Sequence, residues 1–346
     1  MAGGGATQKR RIPGLPRLLG GRALGRVSAD RVIAFALIIP STVAVGLFVY
    51  GFIGWSVLVS VSEWDSVRPD YTFVGLDNFR ELFKHFRFQA DIRNMVVFTV
   101  LFVGACVVVG FVLAALLDRG VRGEGLFRSI YLFPMAVSFI VTGVVWRWLL
   151  APRAGVNLLF DRAGLDALKS GWYTDPTVVH VSSESRLGEA LDFVGFGWLA
   201  DPHFGLPLAM ISVVIAAAWQ MSGFVMVLYL AGLRAIPDEL KEAARVDGAS
   251  EFQVLRHIAL PLLRPVTLSA MIILGHVSLK IFDLVVAMTR RGPGFGTDVP
   301  ALFMFETTFQ GSHFSQGAAI SVLMLSTVSL LVIPYLFWSL RREARL

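Results

Sequence analysis

The chain has 346 residues, of which 55% are hydrophobic and only 16% are charged, and its formal net charge at pH 7 is +6. Soluble globular domains carry about 25% charged residues, so this composition argues against a soluble protein. The single cysteine, Cys106, excludes an intrachain disulfide.

Long apolar segments recur along the whole chain. A helix of about 20 apolar residues crosses the ~30 Å hydrocarbon core of a bilayer, whereas barrel strands would give short alternating segments. The sequence therefore predicts an all-α integral membrane protein with six transmembrane helices. The predicted spans are residues 32–61, 94–117, 129–150, 205–232, 266–289 and 316–340.

The basic residues predict which side of the membrane each connection faces. Lys and Arg concentrate in cytoplasmic loops. Most of the 31 Lys and Arg lie in one set of segments, although the alternate set is longer in total. The predicted topology is therefore N-in and C-in, in a multi-pass protein of the cell (inner, cytoplasmic) membrane. The basic-rich, inner segments are residues 1–31, 118–128, 233–264 and 341–346.

This topology divides the chain into two predicted regions. Residues 1–31 form a basic cytoplasmic arm, and residues 32–346 form the transmembrane domain with an extended external loop at 151–204. Nucleic-acid binding by the arm is possible on charge alone. Attraction to the membrane surface explains the same charges more simply, so no nucleic-acid partner is expected.

The stretch "DELKEAARVDGASEFQVLRHIALPLLRP" interrupts the apolar pattern on the predicted cytoplasmic side. Acidic residues open its first helix, where the helix dipole favours them. Gly248 is suited to end that helix, and Ser250 with Gln253 three residues later forms a capping box for the next. Pro261 and Pro265 are expected to end the excursion before the fifth span. The pattern predicts a helix, a glycine turn and a second helix.

Three interpretations of this helix pair are open. A solvated loop would need neither an alanine face nor two caps. A DNA-reading helix-turn-helix is tethered between two spans and has balanced charge, which is unfavourable for phosphate contact. A docking element fits the small side chains, which let a helix sit closely in a groove of a partner protein.

The stretch from Glu242 to Pro265 resembles the EAA loop of ATP-binding-cassette import permeases. Further stretches resemble the carbohydrate-uptake branch of that family, the maltose-type and binding-protein-dependent permeases, and the resemblance covers about residues 32 to 343. These stretches are "FVGLDNF" (73–79), "YLFPMAVS" (131–138), "VVWRWLL" (144–150), "WLADP" (198–202), "AGLRAIP" (231–237) and "FDLVVAMTRRGPG" (282–294).

The resemblance implies a permease subunit of a sugar importer. Such a subunit forms the translocation path with a second homologous permease, sits on two cytoplasmic ATPase subunits and receives carbohydrate from an extracytoplasmic solute-binding protein. The helix pair would be the coupling element that lies in a cleft of the ATPase. The implied coupling residues are Glu242, Ala243, Ala244, Asp247, Gly248 and Pro261.

The chain itself is not expected to be an enzyme. No lysine follows a glycine, so there is no G-K-[ST] phosphate-binding loop. ATP and Mg²⁺ would belong to the partner ATPase subunits, and no cofactor or metal site is expected in this chain. Two alternatives stay open: an importer of a non-sugar solute such as a polyol phosphate or amino acid, and a secondary active carrier. The carrier usually needs several intramembrane carboxylates, and only Asp283 qualifies.

The predicted fifth span contains the polar residues His276, Lys280 and Asp283. On one continuous helix, spacings of three and four residues put all three on the same face. Charges facing lipid are costly, so this face should turn inward. Either Lys280 and Asp283 form a structural pair, or the face lines a substrate path in which Trp146 or Phe282 offers a ring for a sugar to stack on.

Overall fold

The computed structural model describes the backbone of residues 29–180 and 205–343, and the side chains of residues 35–180, 205–330 and 332–334. The described part of the chain is mostly helical. It divides into two compact units, with the boundary between Phe52 and Ile53. The predicted basic arm, except Ala29 to Arg31, and the second half of the predicted external loop lie outside the described residues.

Fifteen α-helices and one two-stranded sheet can be assigned in this part of the chain. The strands β1 (Val178–Val179) and β2 (Leu206–Pro207) are antiparallel. In chain order the helices are α1 (Ala29–Val45), α2 (Gly51–Ser60), α3 (Asp77–Lys84), α4 (Phe86–Leu117), α5 (Glu124–Leu132), α6 (Phe139–Leu149), α7 (Gly155–Arg162), α8 (Leu208–Arg234), α9 (Asp238–Val246), α10 (Glu251–Val254), α11 (Leu260–Leu262), α12 (Arg264–Leu279), α13 (Asp283–Met288), α14 (Pro300–Phe305) and α15 (Phe314–Glu343).

Four helical segments are long and apolar enough to cross a membrane. They are Phe35–Ser60, Phe86–Leu117, Leu208–Arg234 and Phe314–Pro334, and they overlap four of the six predicted spans. Two bent helix pairs meet the same criteria when each pair is taken as one segment, which brings the described residues to as many as six spans.

The third predicted span is not one straight helix. Between Glu124–Ala136 and Phe139–Leu149 the axis bends by 101°. Pro134 lies in a 3₁₀ turn at this bend, and the hydroxyl of Ser138 accepts a hydrogen bond from the backbone N–H of Val141 to start α6. The side chain of Gln220 donates to the carbonyl of Val137 at 2.7 Å. The backbone groups freed by the bend therefore find partners inside the protein, as an apolar environment requires.

The fifth predicted span is wrong as a continuous helix over 266–289. Helix α12 ends at Leu279, and Lys280 and Phe282 have non-helical backbone angles before α13 begins at Asp283. The hydroxyl of Ser278 bonds the carbonyl of Gly275 and the hydroxyl of Thr99, so side-chain bonding competes with the helix just before its end. Asp283 then takes the first turn of α13, where the dipole favours an acid.

Helices α4 and α8 form the centre of the core. Gly110 of α4 lies so close to Val225 of α8 that an added Cβ would be 2.7 Å from it. The rings of Phe98 and Phe102 stack with their centroids 5.2 Å apart, and both are fully buried. Close backbone approach at small residues is how helices pack in a bilayer, where lipid is as apolar as the core.

A buried charge network joins the start of α4 to the segment between α13 and α15. The Nε atom of Arg87 lies 2.6 Å from Asp298 Oδ2, and its Nη2 atom lies 2.6 Å from Glu306 Oε2. Arg291 reaches the same Glu306 oxygen at 2.6 Å. Burial by itself raises the pKa of Glu306, but hydrogen bonds from Arg291 and Arg87 outweigh it and leave the pKa below its ordinary value.

The network is covered by aromatic rings and backbone bonds. The guanidinium of Arg87 lies 4.4 Å from the ring centroid of Phe303, within the range of a cation–π contact. The amide of Asn94 donates to the carbonyls of Phe295 and Asp298 at 2.6 and 2.9 Å. The segment is therefore held to α4 by both charge and backbone hydrogen bonds.

The described part of the predicted external loop is organised around Asn157. Its Nδ2 atom donates to the carbonyls of Pro152 and Ser170, at 2.9 and 2.8 Å, and its Oδ1 atom accepts from the indole N–H of Trp172 at 2.8 Å. One buried amide thus fixes three points of the segment that follows α6.

Replacing Gly223 with alanine is expected to destabilise the fold. A Cβ at this position of α8 would overlap the carbonyl oxygen of Tyr131, so the backbones of α5 and α8 must separate. We expect a cost of about 1–3 kcal/mol, measured as a lower Tm of the detergent-solubilised protein. Gly104→Ala is the matched control, because a Cβ there meets nothing within 4 Å. Equal melting of the two variants would contradict this packing.

Replacing Arg87 with alanine is expected to cost about 3–5 kcal/mol, because it leaves the buried carboxylates of Asp298 and Glu306 without their shared partner. Arg80→Ala removes an exposed ion pair with Asp77 and should cost less than about 1 kcal/mol. Thermal unfolding of both variants measures the difference. A small, similar loss in both would show that the buried network is not needed for stability.

Candidate functional site: the helix pair between α8 and α12

The helix pair that runs from Asp238 to Leu262 has the predicted glycine turn at its centre. Gly248 has a φ of +85°, a left-handed conformation that favours glycine. Its N–H donates to the carbonyl of Arg245 at 3.0 Å, and the N–H of Ala249 donates to the carbonyl of Ala244 at 2.9 Å. These two bonds form a Schellman motif that closes α9. The predicted stop at Gly248 is confirmed.

The predicted capping box is also present at the start of α10. The N–H of Ser250 donates to Gln253 Oε1 at 2.7 Å, and the N–H of Gln253 donates to Ser250 Oγ at 3.4 Å. Arg245 bridges the two helices, since its Nε and Nη2 atoms donate to the two carboxylate oxygens of Glu251 at 2.7 and 3.2 Å. The angle between the helices is thus set by backbone, cap and ion pair together.

Charged side chains at the end of α8 and in α9 contact the connection between α4 and α5 and the start of α5. Arg234, the last residue of α8, donates to Glu124 Oε2 at 2.7 Å. Lys241 of α9 lies 3.9 Å from a carboxylate oxygen of Asp118. The segments that sequence analysis assigned to one side of the membrane are therefore adjacent in space.

The outer surface of the helix pair carries exposed apolar side chains. Val246 is 88% exposed and Phe252 is 67% exposed, and they lie on either side of the glycine turn. A concave surface of about 380 Å³ beside the turn is lined by Ala244, Gly248 and His257, among others. Nothing in the local sequence pattern distinguishes Val246 and Phe252 from buried helix residues, so sequence reasoning did not select them.

The predicted coupling residues are mostly at this surface. Glu242, Ala243, Asp247 and Gly248 are exposed, and Ala244 is partly buried. Within the described residues, Glu242 forms no ion pair. Leu240, which the sequence places on the same face as Ala243, is also exposed.

The excursion ends between Pro261 and Pro265, as predicted, because α11 ends at Leu262 and α12 begins at Arg264. Pro261 itself is not the end of the helix. It lies inside α11, which continues through a π turn at Leu255–Ala259 from α10 and ends one residue later at Leu262. In that turn the N–H of Leu260 donates to the carbonyl of Leu255, five residues back. The wider turn accommodates Pro261, because in a regular α-helix the proline ring would clash with the preceding turn. The chain then bends by 64° into α12.

The residues of the predicted substrate path do not share one helical face. His276 lies on α12, Lys280 lies in the break and Asp283 begins α13. All three are exposed on this chain, and no ion pair joins Lys280 to Asp283 in the described structure. The interpretation of a single face with a Lys280–Asp283 pair is therefore wrong.

The two predicted aromatic residues of the path are partly buried and have ring partners. Trp146 of α6 contacts Trp219 of α8 in an edge-on arrangement at 5.9 Å. Phe282 contacts Phe305 at 5.4 Å. Within the described residues, no three His, Cys, Asp or Glu side chains are placed to hold a metal ion.

Known membrane transport proteins resemble this chain over most of its length. Residues 107–342 match the family model described as the binding-protein-dependent transport system inner membrane component. A probable ABC transporter permease of Pyrococcus horikoshii is 39% identical over 92% of this chain and all of its own length. The xylose/arabinose import permease XacH of Haloferax volcanii is 31% identical over 87% of this chain and 86% of its own.

A solved structure shares the fold. It is a bacterial alginate ABC transporter in complex with an alginate pentasaccharide-bound periplasmic protein, with a TM-score of 0.69, 18% identity, and coverage of 88% of this chain and 92% of that one. The chain therefore belongs to the family of binding-protein-dependent transport system inner membrane components, the permease subunits of ABC importers.

Proposed function

We propose that this chain is the permease subunit of a carbohydrate importer and couples to cytoplasmic ATPase subunits through the Asp238–Leu262 helix pair. It would form the translocation path with a second, homologous permease and receive substrate from an extracytoplasmic binding protein. The substrate class is supported by the sugar-import name of the Haloferax volcanii relative, and the binding protein by the periplasmic partner in the alginate transporter structure.

The observation that carries the coupling proposal is the combination of a rigid turn and an exposed apolar surface. The Schellman motif, the capping box and the Arg245–Glu251 ion pair fix the shape of the helix pair without a partner. Val246 and Phe252 nevertheless remain in water. A preformed helical surface with exposed apolar anchors is the arrangement used for docking into a groove.

The helix pair is connected directly to the membrane helices. The helix pair continues through a single bend into α12, and Lys241 of α9 lies 3.9 Å from Asp118 in the α4–α5 connection. We infer that movement of a docked ATPase is passed to both α12 and α4 through these contacts.

For the substrate path we retain the predicted residues but not their predicted geometry. His276, Lys280 and Asp283 are exposed on this chain at and beside the break between α12 and α13. Because ionisable groups are costly against lipid, we infer that they face the second permease or a water-filled path. Broken helices at membrane depth are tolerated where they line such a cavity, which supports this assignment.

Topology can be tested with reporter fusions. The proposed function requires the helix pair to lie in the cytoplasm, so a reporter inserted after Gly248 or Arg122 should be active in the cytoplasm. A reporter within residues 170–180 should be active only outside. The opposite pattern would contradict the charge-based orientation and the docking proposal with it.

Coupling can be tested by substitution on the helix pair. Gly248→Val forces a β-branched residue into a left-handed conformation, at a local cost of about 1 kcal/mol or more. Glu242→Lys reverses an exposed charge, and Phe252→Ala removes an exposed ring. We expect all three to reach the membrane and to reduce co-purification with the cognate ATPase and substrate uptake at least about five-fold.

The matched control is Gly164→Val. Gly164 also has a positive φ, of 69°, with nothing near its missing Cβ, but it follows α7 and lies far along the chain from the helix pair. It should suffer the same backbone strain and keep normal ATPase association. Normal association of the helix-pair variants would refute docking at this surface. Uptake without any ATPase would instead favour a secondary carrier.

A further inference from the structure

A cavity of about 780 Å³ lies between the loop after α13 and the segment that follows α7. Its size is within the range of small-molecule sites, about 300–1,000 Å³. Two aromatic rings, Tyr173 and Phe305, line it together with hydrogen-bonding side chains that include Thr289 and Gln310. Phe305 also contacts Phe282 of the proposed substrate path, so the cavity adjoins that path.

The charges on the cavity wall do not cancel. The charged lining residues are Arg290, Arg291 and Glu306. Glu306 is already shared by two guanidinium groups, since Arg291 and Arg87 each lie 2.6 Å from its Oε2 atom. Arg290 is exposed and makes no ion pair within the described residues. Among the described residues nothing compensates this guanidinium, a group well suited to bind a carboxylate or a phosphate.

The backbone at Arg290 makes this arginine unexpected on structural grounds. Its φ is +56°, in the left-handed region where glycine is favoured and most other residues are strained. Arg290 contributes only its backbone groups to the turn: its N–H donates to the carbonyl of Val285 at 2.7 Å, and its carbonyl accepts from Thr297 Oγ1 at 3.3 Å. Glycine would make the same bonds without strain.

A strained residue that the turn does not require points to a role for its side chain. We propose that this cavity is a binding site for a saccharide carrying an anionic group, with Arg290 as the residue that selects the anion. The rings of Tyr173 and Phe305 would stack on the sugar, and the side-chain amide of Gln310 would bond its hydroxyls. This inference rests on the proposed function and specifies its substrate class.

The test compares three sugars that differ only at C6: glucose, glucuronate and glucose 6-phosphate. Their binding to the purified full-length chain in detergent is measured by saturation-transfer NMR. We expect at least one of the two anions to bind about ten-fold more tightly than glucose. Preference for glucuronate alone would identify a carboxylate ligand, and preference for glucose 6-phosphate alone a phosphate ligand.

Arg290→Gly is the informative variant, because the same change should relieve strain and remove the anion site. We expect its Tm to rise by a few degrees and the preference for the anion to fall to within about two-fold of glucose. Arg290→Lys should keep part of the preference. Equal binding of the three sugars, no binding of any, or an unchanged preference in Arg290→Gly would overturn the proposal. ATPase association of the unsubstituted chain is measured in parallel, since its absence would count against the proposed function instead.

Discussion

The ion pairs of Arg87 with Asp298 and Glu306 join two parts of the chain more than two hundred residues apart. Because these charges are buried, each depends on the others, and separating them would leave a charge without water or partner. The segment from Arg290 to Glu306 is therefore attached to the start of α4. One wall of the large cavity, the Phe282–Phe305 contact and the packing of Phe303 all depend on that attachment.

Both departures from straight transmembrane helices occur where polar groups can replace the lost backbone bonds. At the bend after Pro134, the side chains of Ser138 and Gln220 supply hydrogen-bond partners. After Leu279, the N–H groups of Lys280 and Ile281 donate to carbonyls three residues back, those of Val277 and Ser278. An interruption in lipid would be costly, and the same interruption inside the protein places backbone and polar side chains beside a cavity.

Local chemistry could be predicted from the sequence, and long-range contacts could not. Gly248 and Ser250 act through bonds to residues within five positions, so their roles follow from spacing alone. The face assumed for His276, Lys280 and Asp283 required an unbroken helix, and apolar composition does not reveal a break of three residues. The partners of Arg87 lie more than two hundred residues away along the chain, and no pattern in one sequence identifies them. Arg290 differs from other basic loop residues only in its backbone angle, which the sequence does not reveal.

The exposed Val246 and Phe252 have a consequence for the cell that makes this protein. A chain synthesised in excess of its partner would keep two apolar side chains in water beside a rigid turn. Exposed apolar surface of this kind promotes aggregation and attracts chaperones and proteases. The surface proposed for docking would therefore also report whether the subunit has been assembled, and unassembled copies would be removed in preference to complete transporters.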